Sequence, residues 1–163
     1  MITITYSTEQ GMQIEGFDGA QVTETGHAFG LVSRLQAQRC EVHTQDNVAV
    51  CTVTGHMFGN QPFFVVESSE LTQSVKLSQE MEQLLICYKV SGGGFSLQGD
   101  FSKGRFDILH EGSPVAALHI ENQSEHGCVV HIDNPAHQFS QTLLGLGIAS
   151  LMMVHKLAPQ PSV

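Results

Sequence analysis

Two imidazoles and two carboxylates, His119, Glu121, His131 and Asp133, stand at alternate positions of two strand-like runs, Val115-Ala116-Ala117-Leu118-His119-Ile120-Glu121 and Cys128-Val129-Val130-His131-Ile132-Asp133. Alternate residues of a strand share a face. If the two runs pair, all four side chains point the same way, and their nitrogen and oxygen donors match the ligand set of a zinc or iron site. The plainer expectation is the polar, outward side of a hairpin. On that reading no metal and no cofactor is expected.

Other candidate chemistry is thinner. Lys103 and Arg105 are the two cations nearest each other along the chain that suggest a phosphate contact, although two cations on a strand ordinarily form a solvated face. Cys40 and His43 have the spacing of a metal-binding pair, but residues three apart on a strand point to opposite faces and cannot grip one ion. No Gly-x-Ser-x-Gly turn is present, so a hydrolase would need partners assembled from distant positions, with His119 and His131 the candidates among nine histidines. The run Ser91-Gly92-Gly93-Gly94 lacks the Lys-Ser/Thr ending of a phosphate loop and reads as a turn. No residue is assigned a catalytic role.

The elements that carry these residues are short and mostly β. Strand-sized runs separated by turn signals cover Ile2 to Ser7, Met12 to Glu15, Gln21 to Glu24, Ala28 to Arg34, Cys40 to Gln45, Val48 to Thr54, Phe63 to Glu67 and Leu71 to Leu77. They continue over Leu84 to Val90, Phe95 to Gln98, Arg105 to His110, Val115 to Glu121 and Cys128 to Asp133. Near a dozen such runs predict a barrel or sandwich. The stretch Glu70 to Gln83 has a composition that also suits a helix. The clearest hairpin joins Phe106-Asp107-Ile108 to the run from Val115 through Glu111-Gly112-Ser113-Pro114. A faint echo of it, Cys40-Glu41-Val42 then Val48-Ala49-Val50 across Asp46-Asn47, suggests two similar halves of one sheet or a chance likeness.

After Pro135 the pattern changes to a single helix, expected over Ala136 to Leu157. Its run Leu143 to Val154 is apolar on every side. Such a helix must be enclosed all round, and twelve residues fall short of the roughly 20 that span a bilayer. Enclosure by the protein's own strands follows, with Leu143, Leu144, Leu146, Ile148, Leu151, Met152 and Val154 in the core. Gly145 and Gly147 each cost about 1 kcal/mol of helix propensity, which implies a steric need for slim helix faces.

Composition agrees with one core. The chain has 41% hydrophobic and 14% charged residues, a globular balance, so a single domain over 1–158 and a loose tail over 159–163 are expected. The net charge of −9, from 16 acidic and seven basic residues, opposes nucleic-acid binding and disfavours anionic membrane surfaces. Met1 to Tyr6 has neither the basic segment nor the apolar core of a secretory signal. The four cysteines, Cys40, Cys51, Cys87 and Cys128, are scattered among strand-like runs, and free thiols in a cytoplasmic setting are expected.

The succession Cys87-Tyr88-Lys89-Val90, Gly104-Arg105-Phe106-Asp107-Ile108, Val115-Ala116, Cys128-Val129-Val130-His131-Ile132-Asp133 and then the apolar helix over Gln138 to Val154 resembles the tubby C-terminal-like fold. Within it the likeness is to the LURP-one-related proteins and their small bacterial relatives, with phospholipid scramblases more distant. The resemblance covers about Cys40 to Leu157 and implies a closed, roughly twelve-stranded β-barrel around a central hydrophobic helix. It implies a non-enzymatic binding or scaffold module with no assigned ligand. Tubby proteins hold phosphoinositides with clustered Lys and Arg, for which this chain offers only Lys103 and Arg105. The acidic calcium segment and adjacent cysteines of scramblases are missing, since Asp133-Asn134 is isolated.

Overall fold

A computed structural model describes residues 1–7, 9–17, 21–25, 38–43, 48–58, 61–82, 85–100, 103–124 and 126–154. Twelve strands and one helix follow in order. They are β1 (Ile2–Ser7), β2 (Gly11–Glu15), β3 (Gln21–Thr25), β4 (Gln38–His43), β5 (Ala49–Phe58), β6 (Gln61–Ser68), β7 (Val75–Glu82), β8 (Leu85–Ser91), β9 (Phe95–Asp100), β10 (Arg105–His110), β11 (Ser113–Ser124), β12 (Gly127–Asp133) and α1 (Ser140–Val154). The run Ala28 to Arg34, the turn Asp46-Asn47 and the tail 159–163 lie outside the described residues.

The strands form two antiparallel sheets of six, in the orders β2-β1-β12-β11-β10-β9 and β3-β4-β5-β6-β7-β8. Along β12 burial alternates, with Cys128, Val130 and Ile132 inward and His131 on the outer face. The β10–β11 hairpin turns on Glu111 and Gly112, both at positive φ (50° and 84°), as a two-residue turn matched to strand twist requires. Ser113 and Pro114 belong to β11 rather than the turn. Pro114 precedes the β12 ladder, which starts at Ala117, so its missing N–H interrupts no central pairing.

The helix lies between the sheets. It packs on β5, β6 and β7 of one and on β1, β11 and β12 of the other. Leu143, Leu144, Leu146, Ile148, Leu151 and Met152 are buried as expected, while Val154 at the helix end is only half-buried. The two glycines serve opposite sheets. A Cβ on Gly145 would overlap Val66 Cγ1 of β6, and one on Gly147 would overlap Ile132 Cδ1 of β12 and Ile4 Cδ1 of β1. The sheets also approach each other at both margins, β8 beside β9 and β2 beside β3. Among the described residues no ladder joins them there.

Several boundaries differ from expectation. The helix starts at Ser140 rather than Ala136, because His137 and Phe139 take left-handed backbone conformations (φ 53° and 58°) incompatible with a continuous helix. The Phe139 carbonyl accepts the first helical bond, from Leu143 N–H at 2.8 Å. Since Phe139 has no capping oxygen, Glu70 supplies one from the β6–β7 turn and accepts the Thr142 N–H at 2.6 Å. The stretch Glu70 to Gln83 resolves as strand from Val75, with Val75 and Leu77 buried and Lys76 over the Phe63 ring. Leu71 packs against the core from the turn instead of from β7.

The hairpin echo falls at equivalent places in two sheets, not in one. Hairpin β4–β5 occupies the second and third strands counted from β3, and β10–β11 the second and third counted from β9. Each carries a register irregularity at the matching step, between Val42 and His43 and between Ile108 and Leu109.

Candidate functional site

Strand order brings five polar side chains of the first sheet into one row across its outer face. Arg105 stands opposite His119, His119 opposite His131, His131 opposite Thr3 and Thr3 opposite Glu15. Glu121, two residues beyond His119 and on the same face, reaches back to both imidazoles. Its Oε1 lies 3.0 Å from His119 Nδ1 and its Oε2 3.2 Å from His131 Nε2. The remaining ring nitrogen of His131, Nδ1, is 3.3 Å from Thr3 Oγ1. The result is a continuous chain from Thr3 through His131 and Glu121 to His119.

Carboxylate chemistry sets the tautomer that each ring takes when it is neutral. An ionised carboxylate only accepts, so Glu121 takes an N–H from each ring. Neutral His119 then carries its proton on Nδ1 and leaves a lone pair on Nε2. Neutral His131 carries its proton on Nε2 and accepts the Thr3 hydroxyl at Nδ1. The side chains of His119, His131 and Glu121 are 31%, 28% and 40% exposed, so water screens the pairs and their contribution to stability is small.

A shallow cleft of about 570 Å³ adjoins this chain, lined by Gly99, Lys103, Arg105, Phe106, Asp107, Ala117, Leu118 and His119. The two phosphate candidates and one of the metal candidates therefore share one concavity. Gly104, between the two cations, is at φ 64°, and a Cβ there would press on the Ile120 carbonyl. Gly104 also accepts the Ile120 N–H at 2.9 Å. This backbone contact holds the Lys103–Arg105 corner against β11.

The four proposed metal ligands do not converge. Asp133 pairs in register with Ala117, one step along β12 from the imidazole row, and Glu121 lies between the two rings and contacts both. Among the described residues no group of three or more His, Cys, Asp or Glu side chains is arranged to hold a metal ion. Cys40 is buried and His43 turns to Glu41 at 3.5 Å, on opposite faces as strand geometry requires. The glycine run forms the β8–β9 turn, with Gly92, Gly93 and Gly94 all at positive φ.

Two of the thiols are ill-suited to nucleophilic attack. Burial and then the nearby Glu70 charge push the Cys51 thiol up to about 12, and burial pushes Cys128 up to about 11, so both are neutral near pH 7 and unreactive. None of the four cysteines is in a disulfide, and Cys87 is the one that is not buried. Inside the fold, a gap of about 10 Å³ bordered by Leu77, Tyr88, Leu97, Ile120, Ser150, Met153 and Val154 has room for about one water. No helix among the described residues is long and apolar enough to cross a membrane.

Sequence reasoning missed Thr3 and Glu70. Alternation along Ile2-Thr3-Ile4 was a signal that Thr3 faces outward, but its partner His131 lies 128 residues away and emerges only from the β1–β12 pairing. No family model, curated protein or solved structure matches the chain.

Proposed function

We propose that this chain is a non-enzymatic binding module whose ligand is a small oxyanion of the phosphate class, held on the outer face of the first sheet by Lys103, Arg105 and His119. The observation that carries this reading is the cleft itself, where two of the chain's seven basic residues stand beside an imidazole. Arg offers a planar fork of donors matched to phosphate oxygens and Lys a mobile point charge. Asp107 on the same wall limits the positive field and favours a small ligand over a polyanion such as nucleic acid.

The architecture we assign to this module is a closed twelve-stranded barrel around α1, of the tubby C-terminal-like, LURP-one-related kind. Contact of the helix with both sheets and the approach of β8 to β9 and β2 to β3 support it. On this reading α1 fills the lumen and binding is confined to the outside. A cytoplasmic setting accords with cysteines scattered singly along the strands.

The test is a titration with methyl phosphate followed by backbone amide resonances. Resonances of Lys103, Arg105 and His119 should move together, and Arg105→Gln should weaken binding about tenfold, since a hydrogen bond to a charged group contributes about 1.5–3 kcal/mol. Unmoved resonances would remove the reading. Vesicles bearing phosphorylated headgroups form a second arm: retention beyond that expected from methyl phosphate affinity assigns the ligand to a lipid, and its absence assigns it to a soluble monoester.

The hydrogen-bonded series Thr3 Oγ1, His131, Glu121 favours a second reading, a hydrolytic enzyme in which His131 activates the Thr3 hydroxyl. Ester turnover lost in both Thr3→Val and His131→Gln would establish it. A metal-dependent variant of that enzyme requires stoichiometric metal in protein purified without a tag.

A further inference from the structure

The geometry points to a zwitterionic occupant of the cleft, a phosphate that carries a primary ammonium two carbons away, with Asp107 receiving the ammonium while Lys103, Arg105 and His119 hold the phosphate. This inference rests on the reading of the cleft as an oxyanion site and names the class of its ligand. Two rows of side chains cross the outer face of the first sheet next to each other. In one, Arg105 stands opposite His119 and His119 opposite His131; in the next, Asp107 stands opposite Ala117 and Ala117 opposite Asp133. Arg105, Asp107, Ala117 and Asp133 are all exposed. Among the described residues none of Lys103, Arg105, Asp107 and Asp133 is ion-paired. Opposite charges left unpaired in adjacent rows form two poles that a dipolar ligand can bridge.

Dimensions and donor chemistry set the class. Two residues apart on one strand face, the rows are separated by about 6.6–6.8 Å. In an aminoethyl phosphate four bonds of about 1.5 Å, P–O, O–C, C–C and C–N, put phosphorus and nitrogen about 5 Å apart, so its two ends reach both rows. An ionised carboxylate only accepts, and a primary ammonium brings three donors. Ala117 lines the cleft with a single methyl, which leaves room beside Asp107. Asp133, beyond Ala117 on β12, does not line the cleft and adds negative field at longer range. A quaternary ammonium has no N–H to give and is held instead by exposed aromatic faces. Phe106, the phenyl ring in the lining, is 4% exposed and directed to the core. The site therefore selects a primary amine over its trimethylated counterpart.

The experiment titrates the whole chain with O-phosphoethanolamine, ethyl phosphate and phosphocholine, followed by backbone amide resonances. Wild type should bind O-phosphoethanolamine about five- to tenfold more tightly than either comparator, the effect of one charge-assisted contact weakened by solvent. Asp107→Asn should erase that preference and, by removing a negative charge, should tighten ethyl phosphate about twofold. Effects of opposite sign on two ligands separate this role from a merely structural one. O-phosphoethanolamine bound no more tightly than either comparator, or a preference that survives Asp107→Asn, overturns the zwitterion assignment and leaves the oxyanion site standing. No binding of any of the three overturns both. Phosphatidylcholine vesicles with and without phosphatidylethanolamine locate the source. Retention that requires phosphatidylethanolamine assigns the group to a lipid headgroup, no retention by either assigns it to a soluble monoester, and retention by both contradicts the amine selectivity.

Discussion

Gly145→Ala tests the enclosure of the helix through a reversal of sign. In an open helix interior the substitution stabilises by about 1 kcal/mol, the propensity difference between the two residues. Here the new methyl would overlap Val66 Cγ1. Val66 is 1% exposed and β-branched, so its χ1 cannot swing aside without leaving a preferred rotamer. Overpacking of a buried site costs about 1–3 kcal/mol, and subtracting the propensity gain leaves a net loss of about 1 kcal/mol. Val66→Ala alone removes two methyl groups, about 1.6 kcal/mol at 0.8 per group, plus the cavity they leave. In that background the alanine methyl occupies the vacated space, and Gly145→Ala becomes stabilising by about 1 kcal/mol or more. Urea unfolding followed by far-UV circular dichroism is the suitable assay, since the chain has no tryptophan, and the four proteins form a double-mutant cycle. Gly145→Ala that stabilises the wild-type background, or additivity across the cycle, would refute the close approach of helix and β6.

Leu146→Asp and Leu151→Asp should each abolish soluble folded protein, because both positions are buried in the helix between the sheets and an unpaired charge there has no compensating partner; a soluble variant with a cooperative melt would contradict this. Glu70→Ala should cost about 0.5–2 kcal/mol by stripping the Thr142 N–H of its acceptor, with Glu70→Gln closer to wild type, both read by thermal melts. Iodoacetamide under native conditions should label Cys87 first and spare Cys40, Cys51 and Cys128, as mass spectrometry of digests will report. Because the folded values of Cys51 and Cys128 are raised to about 12 and 11 from 9.0, their contribution is fully present below about pH 9 and is lost as pH rises toward those values. Alkaline unfolding should thus begin above pH 9, and Cys51→Ala should flatten that limb.

What local chemistry decides was legible along the chain. The β10–β11 hairpin follows from alternation and from the turn residues around Gly112, and β12 from its inward Cys128, Val130 and Ile132. The enclosure of α1 was legible because a helix with no polar face has no exposed option, and Gly145 and Gly147 carried their steric meaning openly. Legibility ended where a partner from afar decides the outcome. Leu71 was assigned to a strand by its apolarity, whereas it packs from a turn. The helix start was misplaced because left-handed conformations at His137 and Phe139 have no signature in residues with a Cβ. Of the site, alternation put His119, Glu121 and His131 on one face, but only strand order could add Arg105 and Thr3 to their row and leave Asp133 outside it.

The position of β1 between β12 and β2 sets a timetable for the nascent chain. Strand β1 finds its second neighbour only after more than a hundred further residues have been translated, and the rod on which both halves rest follows later still. The β3–β8 and β9–β12 meanders can each zip up as they emerge, their neighbours being consecutive. Until the helix is out, the β3–β8 sheet presents Val42, Val53, Phe64 and Val66 to whatever is nearby, the transient apolar exposure that makes incompletely folded chains prone to aggregate. Pausing of translation before the rod, or delay in its release, should therefore send this chain to holdases or aggregates more readily than any surface substitution.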